Sequence, residues 1–231
     1  MFCNKCGVKN EDETTACSAC GEALKVQNAG GKFDADQAKE HVTKTANDAW
    51  TALKSLGLDP VGGLLQTYQT LGSVRALSVG VAFGIAFAVF FVLAVYKIPQ
   101  IDMLPQAAGV SGFFKLLIVG ITPFLSLAAA LLIGAKVANG KGDLACKSFI
   151  SGVSLLPLLI VSLISAIIGI GNIEVSLILF TVAICITVMI LFNGLTRIEQ
   201  LSDKAASYIV PLMLLGSAWI AKIFLTSIFF K

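Results

Sequence analysis

Five stretches of this chain are each apolar for about twenty residues, the length at which an α-helix crosses roughly 30 Å of hydrocarbon. They lie near Ala76–Tyr96, Phe113–Ala135, Phe149–Ile170, Val175–Leu195 and Tyr208–Phe230. Inside a bilayer no water is present to bond a stray amide, so each segment must satisfy its own backbone as a helix. With 56% hydrophobic and only 13% charged residues, the 231-residue chain does not have the composition of a water-soluble globule. The expected fold class is mainly α, a polytopic bundle of five transmembrane helices. Only Gly171-Asn172-Ile173-Glu174 separates the third stretch from the fourth, so these two form a tight antiparallel hairpin.

Charge is distributed unevenly. Before Arg75 there are seven basic and nine acidic residues, and from Arg75 onward ten basic and five acidic. A basic membrane half suits a bundle whose inner loops face anionic lipid, and the mildly acidic front segment gives nucleic-acid binding no support. If the N-terminus is cytoplasmic, the inner flanks hold Arg75, Lys136, Lys141, Lys147, Arg197 and Lys204, and the outer ones Lys97, Lys115 and Lys231. Six inner against three outer follows the positive-inside rule. The expected location is integral to a membrane, multi-pass, with the N-terminus cytoplasmic and the C-terminus outside.

The first twenty residues carry a different chemistry. Cys3-Asn4-Lys5-Cys6-Gly7 and Cys17-Ser18-Ala19-Cys20-Gly21 are two C-x-x-C knuckles, each followed by glycine. In such a knuckle two thiolates converge on one ion while the glycine permits the turn that aims backbone amides at sulfur. Two knuckles close a tetrahedral site, so Cys3, Cys6, Cys17 and Cys20 are the expected ligands of one structural zinc, with no position left for a catalytic water. Iron also accepts four thiolates. The ten-residue spacer implies a compact ribbon with a tight central turn. The surrounding residues are polar and lack the apolar core of a cleavable signal, so reduced thiols are expected over disulfides.

Between knuckles and spans, Gly30-Gly31 closes the front segment, and Asp34 with Gln37 three residues later resembles a capping box. Ala35, Ala38, Val42, Ala46, Ala49, Leu53 and Leu56 then recur at helical spacing. This reads either as a solvated spacer helix or as one that sets Trp50, Leu53 and Leu56 at the lipid headgroups. Gly57 stops it. Asp59-Pro60 starts another helix, whose Leu64, Leu65, Tyr68 and Leu71 make a second interfacial face leading into Arg75. The organisation is thus residues 1–25 as a zinc ribbon, 26–74 as a linker with amphipathic helices, and 75–231 as the five-helix domain.

Reactive groups are scarce within the spans. Ala76, Gly80, Gly84 and Ala88 sit four apart and would let a neighbouring backbone approach closely, within the monomer or, less favoured, between copies in a homo-oligomer. Pro123, Pro157 and Pro211 each interrupt a span. Lys222 is the one ionisable residue well inside a span, in the outer half of the last helix, where its stem can snorkel and where Glu174 is the acid nearest by depth. Cys146 stands near the inner face, either as an ordinary small residue or as an acylation site. The single histidine, His41, has no partner nucleophile at a recognisable spacing, and no nucleotide fingerprint is present, so the chain is expected not to be an enzyme.

The run Leu58-Asp59-Pro60-Val61-Gly62-Gly63-Leu64, followed by five spans with a very short third-to-fourth connection, resembles the YIP family of membrane proteins. That resemblance implies a cytoplasmic N-terminus and a five-helix bundle; eukaryotic members are associated with Rab-type GTPases and vesicle traffic, although no residue here can be named as a GTPase contact. The segment from Cys3 to Gly21 resembles the zinc ribbon fused ahead of many prokaryotic membrane proteins, and a prokaryotic cell membrane is the location that this resemblance implies. The expected function is an adaptor or organiser that offers a cytoplasmic ribbon to a protein partner, with a transporter of small solutes or lipids under a regulatory ribbon as the alternative. A water-filled cavity lined by Thr181, Thr187 and Asn193 would mark the transporter. The basic asymmetry makes one prediction directly: a reporter fused before Met1 should read as cytoplasmic and one after Lys231 as external, whereas both on one side would require an even number of spans.

Overall fold

The computed structural model of the protein describes residues 35–59, 62–97, 109–138, 140, 142–169 and 173–229. Two units are distinguished, Met1–Val42 and Thr43–Lys231. The described part of the first is Ala35–Val42, the opening turns of helix α1 (Ala35–Leu58). This helix starts one residue after Asp34, the expected cap, which itself lies outside the described residues.

The second unit holds the remainder of α1 and then α2 (Gly63–Val95), α3 (Gly109–Val137), α4 (Leu144–Ser154), α5 (Leu156–Ile168), α6 (Ile173–Asn193), a π-helical turn (Gly194–Ile198) and α7 (Asp203–Phe229). Among the described residues, five segments are long and apolar enough to cross a membrane: Gly63–Val95, Val110–Val137, Leu144–Ile168, Glu174–Ile198 and Asp203–Phe224. The chain is a multi-pass, mainly helical membrane protein. Every described span begins earlier in the sequence than the hydropathy alone suggests, the first by the most, because a lead-in helix from Gly63 runs into the apolar stretch across a break at Gly72.

Helix α2 is the central element, packed on α3, α4 and α5, while α3 packs on α7 and α5 on α6. The spacing of small residues explains the order. A Cβ on Gly80 would strike the Ser148 carbonyl and come within 2.7 Å of the Phe149 Cα, and a Cβ on Gly152 would strike the Gly80 carbonyl. Backbones of α2 and α4 therefore touch, as dispersion-driven packing in lipid favours. Gly84 accepts the Phe124 ring of α3, and Ala88 meets Gly120 of α3. The four-residue repeat Ala76-Gly80-Gly84-Ala88 is consumed inside the monomer.

Breaks fall where the chemistry puts them. Pro157 is the second residue of α5, and the third span is interrupted at Leu155 just before it, since proline brings no amide donor. α3 and α7 stay helical through Pro123 and Pro211. Gly72, at φ 71°, interrupts α2 and leaves the carbonyls of the preceding turn without helical donors. Arg75 supplies them: its Nε donates to the Leu71 carbonyl at 2.9 Å and its terminal nitrogen to the Thr70 carbonyl at 3.1 Å.

The lead-in segment corrects the interfacial expectation. Leu64 is fully buried and Leu71 nearly so, and Tyr68 lies against Phe149 of α4 with ring centroids 5.6 Å apart. These residues face protein because α1 folds back on the start of α2: Thr67 donates to the Ser55 hydroxyl at 3.2 Å, and the Asp59 side chain accepts from the Gly62 amide at 2.7 Å. On α1 the buried positions are Ala52 and Leu56, with Ala49 and Leu53 half-buried, whereas Val42, Ala46 and Trp50 are exposed. The stripe holds one side of the helix, and only its C-terminal part is covered.

If the α2–α4 contact carries the packing, one added methyl group should separate the glycines. Gly80→Ala and Gly152→Ala should each destabilise the detergent-solubilised protein by about 1–3 kcal/mol or more through overpacking. Gly216→Ala, with nothing within 4 Å of its Cβ, should be neutral or stabilising by up to about 1 kcal/mol through helix propensity. Thermal unfolding midpoints of the three variants provide the comparison.

Candidate functional site

A buried ionic cluster sits where the α3–α4 connection meets the end of the fourth span. It begins with Asp143, which caps α4: its carboxylate accepts the Cys146 amide at 2.8 Å. That cap places Cys146 and Lys147 in the first turn of α4, both buried. A cation there opposes the helix dipole and needs an anion nearby. Glu199 provides it, with its carboxylate Oε1 3.0 Å from Lys147 Nζ and its side chain wholly buried.

The remaining acceptor capacity of Glu199 is also used. Oε2 accepts the Gly142 amide at 2.9 Å, and Oε1 accepts from Cys146 Sγ at 3.5 Å. Lys147 in turn donates to the carbonyls of Gly142 and Asp143. Glycine is required in this cradle because a Cβ on Gly142 would overlap the carboxylate, and one on Gly140 would come within 2.6 Å of it. From the other side, Glu199 is aimed inward by the π-helical turn Gly194–Ile198, whose widened hydrogen bonding includes Glu199 N to the Gly194 carbonyl at 3.1 Å. Gln200 then takes φ 57°, and the Leu201 amide closes on the Leu195 carbonyl at 3.0 Å, a left-handed helix stop.

In this arrangement the cluster is a clasp between two connections. A carboxylate with no exposed surface and its oxygens already bonded has no face to offer a substrate. What it supplies is attachment, fixing the ends of α4 and of the fourth span to each other. The sequence reading counted Lys147 as an inner-flank charge facing lipid; the structure buries it in an ion pair. Glu199 carried no role in that reading. The available signal was the Gly140-Lys141-Gly142-Asp143 connection, two glycines before a capping aspartate, which marks a loop approached closely by another group.

The other sequence-derived candidates are dispersed. Cys3, Cys6, Cys17 and Cys20 lie outside the described residues. Among the described residues no group of three or more His, Cys, Asp or Glu could hold a metal ion. Cys146 is fully buried under Glu199, so its thiol is not presented for acylation. Lys222 and Glu174 are both exposed, on α7 and in the first turn of α6, and His41 is exposed on α1. Thr181, Thr187 and Asn193 each turn a polar group to a main-chain carbonyl: Thr181 bonds that of Leu177, Asn193 that of Met189, and buried Thr187 that of Ser154 across the α4–α6 contact at 2.8 Å. No family model, curated protein or solved structure matches the chain.

Removing one member of a buried pair leaves an uncompensated charge, so Lys147→Ala or Glu199→Ala should each cost about 3–5 kcal/mol of stability. The double variant Lys147→Met with Glu199→Leu should recover most of that loss, because a buried pair exchanged for apolar side chains of similar size is often neutral. A double-mutant cycle read by thermal unfolding in detergent would establish this; additive losses would show that the two residues are not coupled.

Proposed function

We propose that this protein is a non-enzymatic membrane adaptor or organiser of the YIP type, in which a cytoplasmic zinc ribbon is the partner-binding head and the five-helix bundle is its anchor. The observation that carries the reading is the pair of C-x-x-C-G knuckles in a polar, acidic front segment, set ahead of spans that pack through their own small residues. Four thiolates close a metal site and stabilise a fold too small to form its own core, which is the economy of a recognition module. Cys3, Cys6, Cys17 and Cys20 are the ligands, and zinc is the one structural ion.

The bundle side supports an anchor by its bonding. Buried Ser151 and Ser154 turn back onto the carbonyls of Lys147 and Ser151 within α4, and Thr187 bonds the Ser154 carbonyl, tying α6 to α4. The clasp at Lys147 and Glu199 holds the helix ends that, in an N-in topology, face the cytoplasm and the ribbon's partner. The partner is a cytoplasmic or membrane protein, met at the inner bilayer surface.

The purified protein should contain about one zinc per chain, and Cys3→Ser with Cys17→Ser should abolish it. Deleting Met1–Gly31 should leave a stably inserted bundle and remove any co-purifying cytoplasmic partner, as read by paired pull-down with mass spectrometry. A truncated bundle that kept the partner would assign recognition to the helices or inner loops, and stoichiometric metal surviving the double substitution would remove the ribbon as drawn.

A further inference from the structure

Between α5 and α6 runs a cavity of about 320 Å³ whose lining residues are apolar throughout. On α5 it extends from Leu156 to Ile164, about 12 Å of helix, and on α6 from Leu179 to Ile190, about 16 Å. It is therefore a slot along the helix axes. Small side chains create it: Ala183 on α6, Pro157 at the start of α5, and Gly57 at the end of α1, around whose Cβ position nothing lies within 4 Å. Ile160, Ile164, Leu179 and Val182 on its walls are 39–51% exposed, so the slot opens sideways from the third and fourth of the segments long and apolar enough to cross a membrane.

One end of this slot is covered. Leu53, Leu56 and Gly57 of α1 contribute to its lining. Ser55 bonds Thr67, and the neighbouring Tyr68 lies on Phe149 of α4, so α1 sits at the end of the bundle where α4 begins. Beside that end, on the exposed side of α1, Lys54 places its ammonium 5.2 Å from the centre of the Trp50 ring. An amphipathic aromatic and a cation at the mouth of an axial apolar slot match the two parts of one molecule, a headgroup phosphate and the hydrocarbon chain beneath it.

We propose that the α5–α6 slot is a binding site for one acyl chain of an anionic phospholipid, with the headgroup held at Trp50 and Lys54. Its headgroup end, at α1, is on the side of the Lys147–Glu199 clasp, and from there the slot runs past the middle of the third and fourth spans. It is independent of the adaptor reading and needs neither the ribbon nor a protein partner. Binding uses shape for the chain, since an annular lipid would meet all exposed faces of α6 equally, and charge for the headgroup.

The test uses full-length protein reconstituted in phosphatidylcholine vesicles doped with phosphatidylglycerol carrying a photoactivatable group on one acyl chain, with labelled positions mapped by peptide mass spectrometry. Label should concentrate near Pro157 and Ala183 over Ile178, which is exposed on α6 outside the slot. Ala183→Trp and Gly57→Leu, which fill the slot from different walls, should each reduce label there about tenfold while leaving Ile178 unchanged. Lys54→Glu should remove the preference for phosphatidylglycerol over the same probe with a choline headgroup. Equal label at Ile178 and Ala183, or slot label insensitive to both filling variants, would overturn the site as annular lipid only. An unchanged headgroup preference in Lys54→Glu would overturn the headgroup assignment.

Discussion

The bundle depends on one contact between main chains. Where α2 crosses α4, Gly80 and Gly152 bring peptide groups together with no side chain between them. In lipid there is no gain from hiding apolar surface from water, so helices associate through close packing and the bonds it permits. That crossing sets the remaining distances. With α4 drawn onto α2, Phe149 reaches Tyr68, Phe124 of α3 fills the space above Gly84, and Thr187 of α6 reaches the Ser154 carbonyl. One element, α2, thereby holds α3, α4 and α5 together, and the peripheral helices α6 and α7 are left with large exposed apolar faces suited to hydrocarbon.

Against this apolar framework the ionic clasp does a separate job. Packing of smooth helices fixes distance better than it fixes axial position, because sliding costs little where side chains are small. Lys147, Glu199 and the Gly142 amide are directional groups, and each has its partner only at one axial setting. The clasp therefore complements the glycine crossing: the one lets helices approach, the other stops them from sliding. Desolvating two charges is costly, which is why the carboxylate is also bonded by a backbone amide and a thiol.

The helical spans, their number and the short α5–α6 connection were legible in the sequence because hydropathy and length answer to the bilayer directly. The spacing of Gly80 and Gly84 was equally readable, and its use within the monomer matches the favoured reading. The break at Pro157 was marked by the residue that causes it. Two features were not legible. Leu64, Tyr68 and Leu71 have the periodicity of an interfacial face, and a period alone does not say whether lipid or protein covers it. Lys147, in the first turn of α4, and Glu199, just past the π-helical turn, stand 52 positions apart at span ends, where charges are ordinarily hydrated; only the three-dimensional meeting of those ends buries them. The cysteine knuckles, the clearest local motif, lie outside the described residues.

The π-helical turn before Glu199 has a consequence for helical phase. A widened turn holds one residue more than an α-turn, and each residue in a helix advances direction by about 100°. The side chain that follows Gly194–Ile198 is thus rotated by roughly a quarter-turn from where a regular helix would send it. Without that offset Glu199 would leave the fourth span on a different azimuth from the α4 cap, and the charge of Lys147 would be buried with no counter-ion. A single surplus residue in a backbone turn, with no chemistry of its own, acts as the angular adjustment that makes an internal charge affordable.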